Sequence, residues 1–367
     1  MPPAAAPASQ LFPTSCPSAS AEAQDLLRAA LKRFDPARPV LVLGHNDADG
    51  LSALAIFARA FECAGRPHQR RIVGRGESPW DAALRAEVAR ADPGGLVVCD
   101  LSLRDGTILP GVPTLVVDHH VVRAGAWPDE VTILTGQDFR PIPTASLLAW
   151  WAAAALADVD DLLWLAALGL VGDMAEDLGF PEMDAARRRY GITALRKLTA
   201  LINAPRRTGS GDAGPALDVL LRANGPGEIL AGDLPEAAAL HAAKAEVADA
   251  LAQARRVPPK VRGEVALIRL HSPCQIHPLI AQQWRSRLRG QVVIAANTGF
   301  RPGWVHFAAR SARDLDLIDF LARHAPPGAD ENYGSGHRAA TGGALRAADW
   351  NSFIRGLGFG PEEEVPA

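Results

Sequence analysis

No stretch of the chain reaches the ~20 consecutive apolar residues that a membrane-spanning helix requires, so a transmembrane role is not expected. The opening MPPAAAPASQLFPTSCPSAS has neither a basic start nor a continuous apolar core. That argues against a secretory leader and for a disordered tail over residues 1–24. Cysteine is scarce: Cys16, Cys63, Cys99 and Cys274 lie far apart and form no CxxC pair. A zinc finger or disulfide framework is therefore not expected, and a reducing cytoplasm is the expected location. Lysine is absent from residues 261–360, where twelve arginines stand against seven acids, a net +5. No internal repeat is present.

What remains is an ordinary globular composition, 48% hydrophobic and 22% charged over 367 residues, enough for two domains. The formal charge of −3 is unevenly placed: Glu362, Glu363 and Glu364 carry −3, which leaves −5 on residues 1–260. An acidic front suits cations and an arginine-rich back suits anions.

Along the chain, PVLVL (39–43) reads as a buried strand and LSALAIFARAFECAG as the helix after it. RRIVG, GLVVCD and TLVVD read as further strands, with WDAALRAEVARA as an amphipathic helix between the first two. Apolar strands alternating with helices imply an α/β fold, a parallel sheet covered on both faces. Residues 144–172 read as two apolar helices broken near Asp158–Asp161, and residues 181–260 as a helical connecting region. After Pro258–Pro259 the pattern restarts: EVALIRL, QVVIAAN and WVHFAARS as strands, HPLIAQQWRSRL and LDLIDFLARH as helices. The expected domains are thus 25–180, the connector 181–260, and a smaller α/β domain over 261–360.

The acids fall at the ends of these elements. The first strand runs into HNDADG, delivering His45, Asp47 and Asp49. GLVVCD ends in Asp100, TLVVDHH in Asp118, His119 and His120, and the helix LLWLAALGLVGD in Asp173. In open parallel sheets the crevice beyond the strand carboxyl ends is where ligands bind. Five carboxylates gathered there repel one another unless cations are present. An oxygen-rich set with some imidazole favours Mn²⁺ or Mg²⁺ over a structural zinc. In the second half, YGSGHRAATGG offers Gly334, Gly336, Gly342 and Gly343 as backbone approaches to a phosphate. Arg338 supplies a charged fork there, Arg310 a further anion contact, and His337 either a substrate contact or a brace.

HNDADG, VVCD, VVDHH and LGLVGD, in that order, resemble the successive motifs of the DHH phosphoesterase superfamily. NYGSGHRAATGG resembles the GGGH signature of the associated C-terminal domain, with Ser335 where glycine is usual. LINAPRR (201–207) is loosely similar to a RecJ-type element. The resemblance spans about residues 38–350 and is nearest to the RecJ-like branch of single-strand exonucleases, nanoRNases and phosphoadenosine phosphatases. It implies two Mn²⁺ (or Mg²⁺) ions held by His45, Asp47, Asp49, Asp100, His119 and Asp173, with Asp100 between them and a shared water activated for attack on phosphorus. It implies further that Asp118 orients His119, with direct ligation left open, and that His120 faces the scissile phosphate.

The expected activity is hydrolysis of short or single-stranded nucleic acid from an end, in the 5′ to 3′ direction. No oligonucleotide-binding β-barrel is read after the Gly-rich segment, and the overall acidity disfavours a long non-specific grip. Alternatives are a phosphatase or phosphodiesterase acting on 3′-phosphoadenosine phosphate or a cyclic dinucleotide, a catalytically inactive nucleic-acid-binding subunit, and a family II pyrophosphatase. The expected partners are nucleic acid or a small nucleotide, with no membrane and with a homodimer allowed.

Overall fold

A computed structural model describes residues 17–102, 106–121, 127–330 and 333–366, without the side chains of residues 17, 18 and 335–337. Contacts divide the chain into two compact units, residues 1–203 with 213–240, and residues 204–212 with 241–367. None of the described helices is long and apolar enough to cross a membrane.

In the first unit, five strands form an all-parallel sheet: β1 (Val40–His45), β2 (His68–Val73), β3 (Gly95–Cys99), β4 (Thr114–Asp118) and β5 (Val131–Thr135). Their spatial order is β2-β1-β3-β4-β5. Residue alternation splits each apolar run between two cores. Val42, Val97, Leu115 and Val117 enter the larger core with α1 (Pro17–Arg33) and α2 (Ala48–Cys63). Leu43, Leu96, Val98 and Val116 enter a smaller core with Leu84 and Val88 of α3 (Ala82–Arg90). Both faces are covered, which is why these strands are apolar throughout. The strand order reverses direction between β1 and β3, the place where open α/β sheets bind ligands.

Helix α2 is apolar on nearly all sides because it is buried against α4 (Ala145–Ala153) and α5 (Leu163–Gly172). The break expected near Asp158–Asp161 lies between these two helices, as a short 3₁₀ turn over Asp160–Leu162. Packing here is close enough to demand glycine. A methyl group at Gly169 would overlap Asp49 Oδ1 and Ser146 Oγ. Gly169→Ala is therefore expected to lower stability by about 1–3 kcal/mol through overpacking. Urea unfolding measures this, and an unchanged midpoint would contradict it.

Two boundaries differ from the sequence reading. Helix α1 starts at Pro17, inside the segment expected to be a tail, because Ala23, Leu27, Ala30 and Phe34 recur at helical spacing and bury. Residues 1–16 lie outside the described residues. The helices α6 (Pro181–Tyr190), α7 (Ile192–Ile202), α8 (Gly214–Arg222) and α9 (Pro226–Ala231) do not form a separate connector. Their apolar faces join the larger core of the first unit.

In the second unit, a six-stranded mixed sheet has the order β10-β11-β9-β8-β7-β6. The strands are β6 (Lys260–Arg262), β7 (Val265–Leu270), β8 (Val292–Arg301), β9 (Trp304–Ser311), β10 (Ser335–His337) and β11 (Ala340–Arg346). The β7–β8 pair is parallel and the other pairs are antiparallel. Helix α10 (Ala237–Ala254) begins in the first unit and continues in the second; α11 (His277–Arg285), α12 (Leu317–Arg323) and α13 (Ala347–Gly356) complete the second.

The segment NYGSGHRAATGG is not an open loop. Ser335–His337 pairs with Ala340–Gly342, and β11 pairs with β9, so Gly342 and Gly343 sit within the sheet. Gly342 is required there because a methyl group would overlap the Phe307 carbonyl oxygen.

Candidate metal centre

Each candidate ligand is delivered by an element end at the carboxyl edge of the parallel sheet. His45 closes β1, and Asp47 caps α2 by accepting a hydrogen bond from the Gly50 N–H at 3.1 Å. Asp49 lies in the first turn of α2, Asp100 directly follows β3, and Asp118 closes β4 with His119 and His120 after it. Asp173 ends α5. Asp100 is held at φ 60°, a left-handed conformation that aspartate tolerates better than most residues.

These groups converge. His45 Nδ1 lies 3.0 Å from Asp47 Oδ2 and 3.5 Å from Asp100 Oδ2. His119 Nε2 lies 3.1 Å from Asp173 Oδ2, 3.5 Å from Asp100 Oδ1 and 3.9 Å from Asp49 Oδ2. Three triads have ligand atoms within 4.8 Å of one another: His45–Asp47–Asp100, Asp49–His119–Asp173 and Asp100–His119–His120. The six residues expected to hold metal all fall into the first two, and Asp100 and His119 are shared with the third.

The charge balance fits divalent cations. Asp100 is buried, and its Oδ1 accepts no hydrogen bond from the described residues. Burial, then repulsion from the Asp100 carboxylate, pushes Asp49 up to about 6. Burial raises Asp100 as well, with Asp47 adding to it. Burial disfavours the charged form of His45, yet Asp47 and Asp100 outweigh it and raise the imidazole to about 10. For His119, Asp100 and Asp173 likewise overcome burial and raise it to about 12. The cluster thus draws protons onto its imidazoles to supply positive charge it otherwise lacks. Carboxylate oxygens with two imidazoles suit Mn²⁺ or Mg²⁺.

Asp118 behaves differently from the expectation. Its Oδ1 accepts hydrogen bonds from the His120 N–H at 2.7 Å and from His120 Nδ1 at 2.9 Å, while its Oδ2 accepts one from the Ser102 N–H at 2.7 Å. It therefore orients His120, not His119, and belongs to none of the triads found among the described residues. The backbone turn after β4 is the reason, because it folds the His120 ring back over the strand's last carboxylate. The His119 backbone is held instead by Gln137, whose Nε2 donates to its carbonyl at 2.6 Å.

Other supports were not legible as site residues. Asp49 accepts from the N–H groups of Ala145 at 2.8 Å and Ser146 at 2.9 Å, the start of α4. An N-terminal helix turn is a favourable seat for a carboxylate. Asn203, inside the quoted LINAPRR, accepts the Ala48 N–H at 3.1 Å and so fixes the start of α2.

The second unit holds a basic cluster. The Arg310 guanidinium, half-buried on β9, donates to the carbonyls of Ala309 and Thr341 and has no carboxylate partner among the described residues. Burial, with Arg285 nearby, lowers its pKa. Arg338 is exposed and pairs with Asp314 at 3.0 Å. Gly334 has φ 73° and donates its N–H to the Gly342 carbonyl. Gly336 lies in β10, and the His337 side chain is outside the described ones. His277, which the sequence reading did not single out, is buried at the start of α11 beside Phe300 and His306.

Burial first, then the positive charges of His306, Arg310 and Arg207, depresses His277 to about 3. The unfolded chain takes up this proton near pH 6.5 while the folded protein resists it, so stability falls as pH drops between those values. The slope is up to about 1.4 kcal/mol per pH unit. His277→Gln is expected to lose less stability than the wild type between about pH 7 and about pH 5 in urea unfolding. Equal losses would contradict the assignment.

No family model and no curated protein sequence matches the chain. Solved structures do. RecJ of Thermus thermophilus in complex with Mn²⁺ matches with a TM-score of 0.67 at 22% identity, over 96% of this chain and 55% of that one. The chain thus spans about half the length of the RecJ structure. The Mg²⁺ complex of the same protein matches with a TM-score of 0.61 at 22% identity, over 94% of this chain and 53% of that one. The DHH domain of a protein assigned to a family of ribosomal proteins matches with a TM-score of 0.62 at 16% identity, over 92% of this chain and 95% of that one.

Proposed function

Since the chain carries the RecJ-like fold of the DHH superfamily, we propose that it is a metal-dependent phosphoester hydrolase. We assign it the trimming of short oligonucleotides or single-stranded nucleic acid from an end, in the 5′ to 3′ direction. The observation that carries this reading is the convergence of Asp47, Asp49, Asp100 and Asp173 with His45 and His119 at the point where the sheet order reverses. Known structures of the same fold were solved with Mn²⁺ and with Mg²⁺.

In this reading His45, Asp47 and Asp100 hold one divalent ion, and Asp49, His119 and Asp173 the other, with Asp100 placed between the two sets. Bound there, the pair supplies charge neutralisation for a phosphoryl group and a nucleophile at neutral pH. The chain's own groups do the rest. Asp118 fixes the His120 ring through Nδ1, so that Nε2 is the nitrogen that donates to the phosphate oxygen or the leaving group. Asp118 is drawn below the usual carboxylate range because its hydrogen bonds and charge contact with His120 overcome burial, and it stays ionised to do this. Arg310 and its basic neighbours in the second unit offer an anion contact, and they suit it better than Arg338, which already has a carboxylate partner.

A formal charge of −3 favours short substrates, because a grip on long nucleic acid draws on many cationic contacts. The same observation keeps 3′-phosphoadenosine phosphate and cyclic dinucleotides as the second reading. A scaffold role without chemistry is disfavoured by the complete set of ligand side chains. The test is a substrate panel on the full chain in Mn²⁺ and in Mg²⁺: dinucleotides, 5′-labelled single-stranded DNA and RNA, 3′-phosphoadenosine phosphate, and cyclic dinucleotides. Release of mononucleotides from the labelled end is expected. Turnover of the small nucleotides alone would shift the substrate assignment, and hydrolysis of none of them would overturn the enzyme reading.

A further inference from the structure

The residue after Asp173 has no structural reason to be what it is. Helix α5 ends in a paired arrangement of two hydrogen bonds, Ala175 N–H to the Leu170 carbonyl and Met174 N–H to the Val171 carbonyl. This places Met174 at the left-handed position that glycine normally fills in such a helix end. Its φ is 58°, where a side chain is strained. Its side chain is 77% exposed, the most exposed large apolar group among the described residues. Neither backbone preference nor packing therefore selects methionine here. Glycine would fit the turn better, and the apolar contact that usually accompanies this motif is already made by buried Ala175 and Leu170.

What Met174 does have is position. Its neighbour Asp173 reaches His119 at 3.1 Å, so Met174 is one residue along the chain from the centre. Leu178, on the turn that follows, is 52% exposed, and Val121, directly after His120, is exposed as well. Glu176 and Asp177 lie in the same segment, paired with Arg196 and Arg187. These ion pairs engage Arg196 and Arg187, so neither arginine is offered to a second phosphate, and the exposed side chains of Met174 and Leu178 suit an uncharged ring.

We infer that the Met174 side chain is the platform for the nucleobase adjoining the scissile phosphate, a contact that sets substrate preference. This rests on the hydrolase reading above. A polarisable thioether makes favourable contacts with aromatic rings and adapts to all of them, so the preference is for a base over no base and not for one base over another.

The test compares wild type, Met174→Gly and Met174→Ala on a short oligonucleotide and on an all-abasic strand of equal length, in Mn²⁺, with thermal unfolding of each protein. Met174→Gly is expected to raise Tm, because the strain is relieved. Both variants are expected to lower the ratio of kcat/KM for the base-bearing strand to that for the abasic strand by about two- to tenfold, mostly through KM. An unchanged ratio in both variants overturns the inference, and so does a Tm gain in Met174→Gly with no change in preference. Absence of turnover by the wild type on every strand defeats the hydrolase reading itself, a result distinct from an unchanged ratio.

Discussion

Replacing Asp100 with alanine is expected to lower Mn²⁺-dependent hydrolysis on the order of a thousandfold or more. Asp100 belongs to the His45–Asp47 set through Oδ2, 3.5 Å from His45 Nδ1, and its Oδ1 lies 3.5 Å from His119 Nε2 of the Asp49–Asp173 set. Its buried Oδ1 accepts no hydrogen bond from the described residues, so its environment is built for a cation. Losing it disturbs both ions together, and charge stabilisation worth several kcal/mol at a factor of ten per ~1.4 kcal/mol gives that loss. The fold is expected to survive, because Asp100 follows β3 and contributes little to either core. Steady-state turnover with circular dichroism as the control checks this, and a folded Asp100→Ala protein with full turnover would contradict it.

The second large effect separates chemistry from metal binding. His120→Ala is expected to lower kcat by about 10²–10⁴-fold, the range for a positioned proton donor. Mn²⁺ affinity should be nearly retained, because His120 Nδ1 is engaged by Asp118. Asp118→Asn should follow the same pattern to a smaller degree, as it weakens the hold on the ring while keeping its shape. Calorimetric Mn²⁺ titration alongside kcat distinguishes the roles. A large loss of Mn²⁺ affinity in His120→Ala would make it a metal ligand and remove it from proton donation.

The legible parts of the site share one feature. β1, β3 and β4 are short apolar runs that stop at or just before a polar ligand, so strand identity and ligand identity come from the same few letters. The covering helices were legible for a related reason, since apolar strands without alternation must be buried on both sides. What could not be read depends on contacts distant in the chain. The amide seat for Asp49 at Ala145 and Ser146 arises only once α4 packs beside α2. The choice of His120 over His119 as the partner of Asp118 is made by a backbone turn, which residue type does not encode. Strand β5 was missed because VTILT is a short edge strand, half-exposed over its first three residues. Helix α1 was hidden by a Pro- and Ala-rich opening, although Leu27, Ala30 and Phe34 keep helical spacing. Glycines 342 and 343 read as a loop, yet at Gly342 the missing side chain serves close strand packing against Phe307.

The most direct test of the central claim is anomalous scattering from crystals of the full chain grown with Mn²⁺. Two peaks are expected roughly 3.5–4 Å apart, one reached by His45, Asp47 and Asp100, the other by Asp49, His119 and Asp173, with Asp100 touching both. No peak at saturating Mn²⁺, or peaks bound by other residues, would contradict the account.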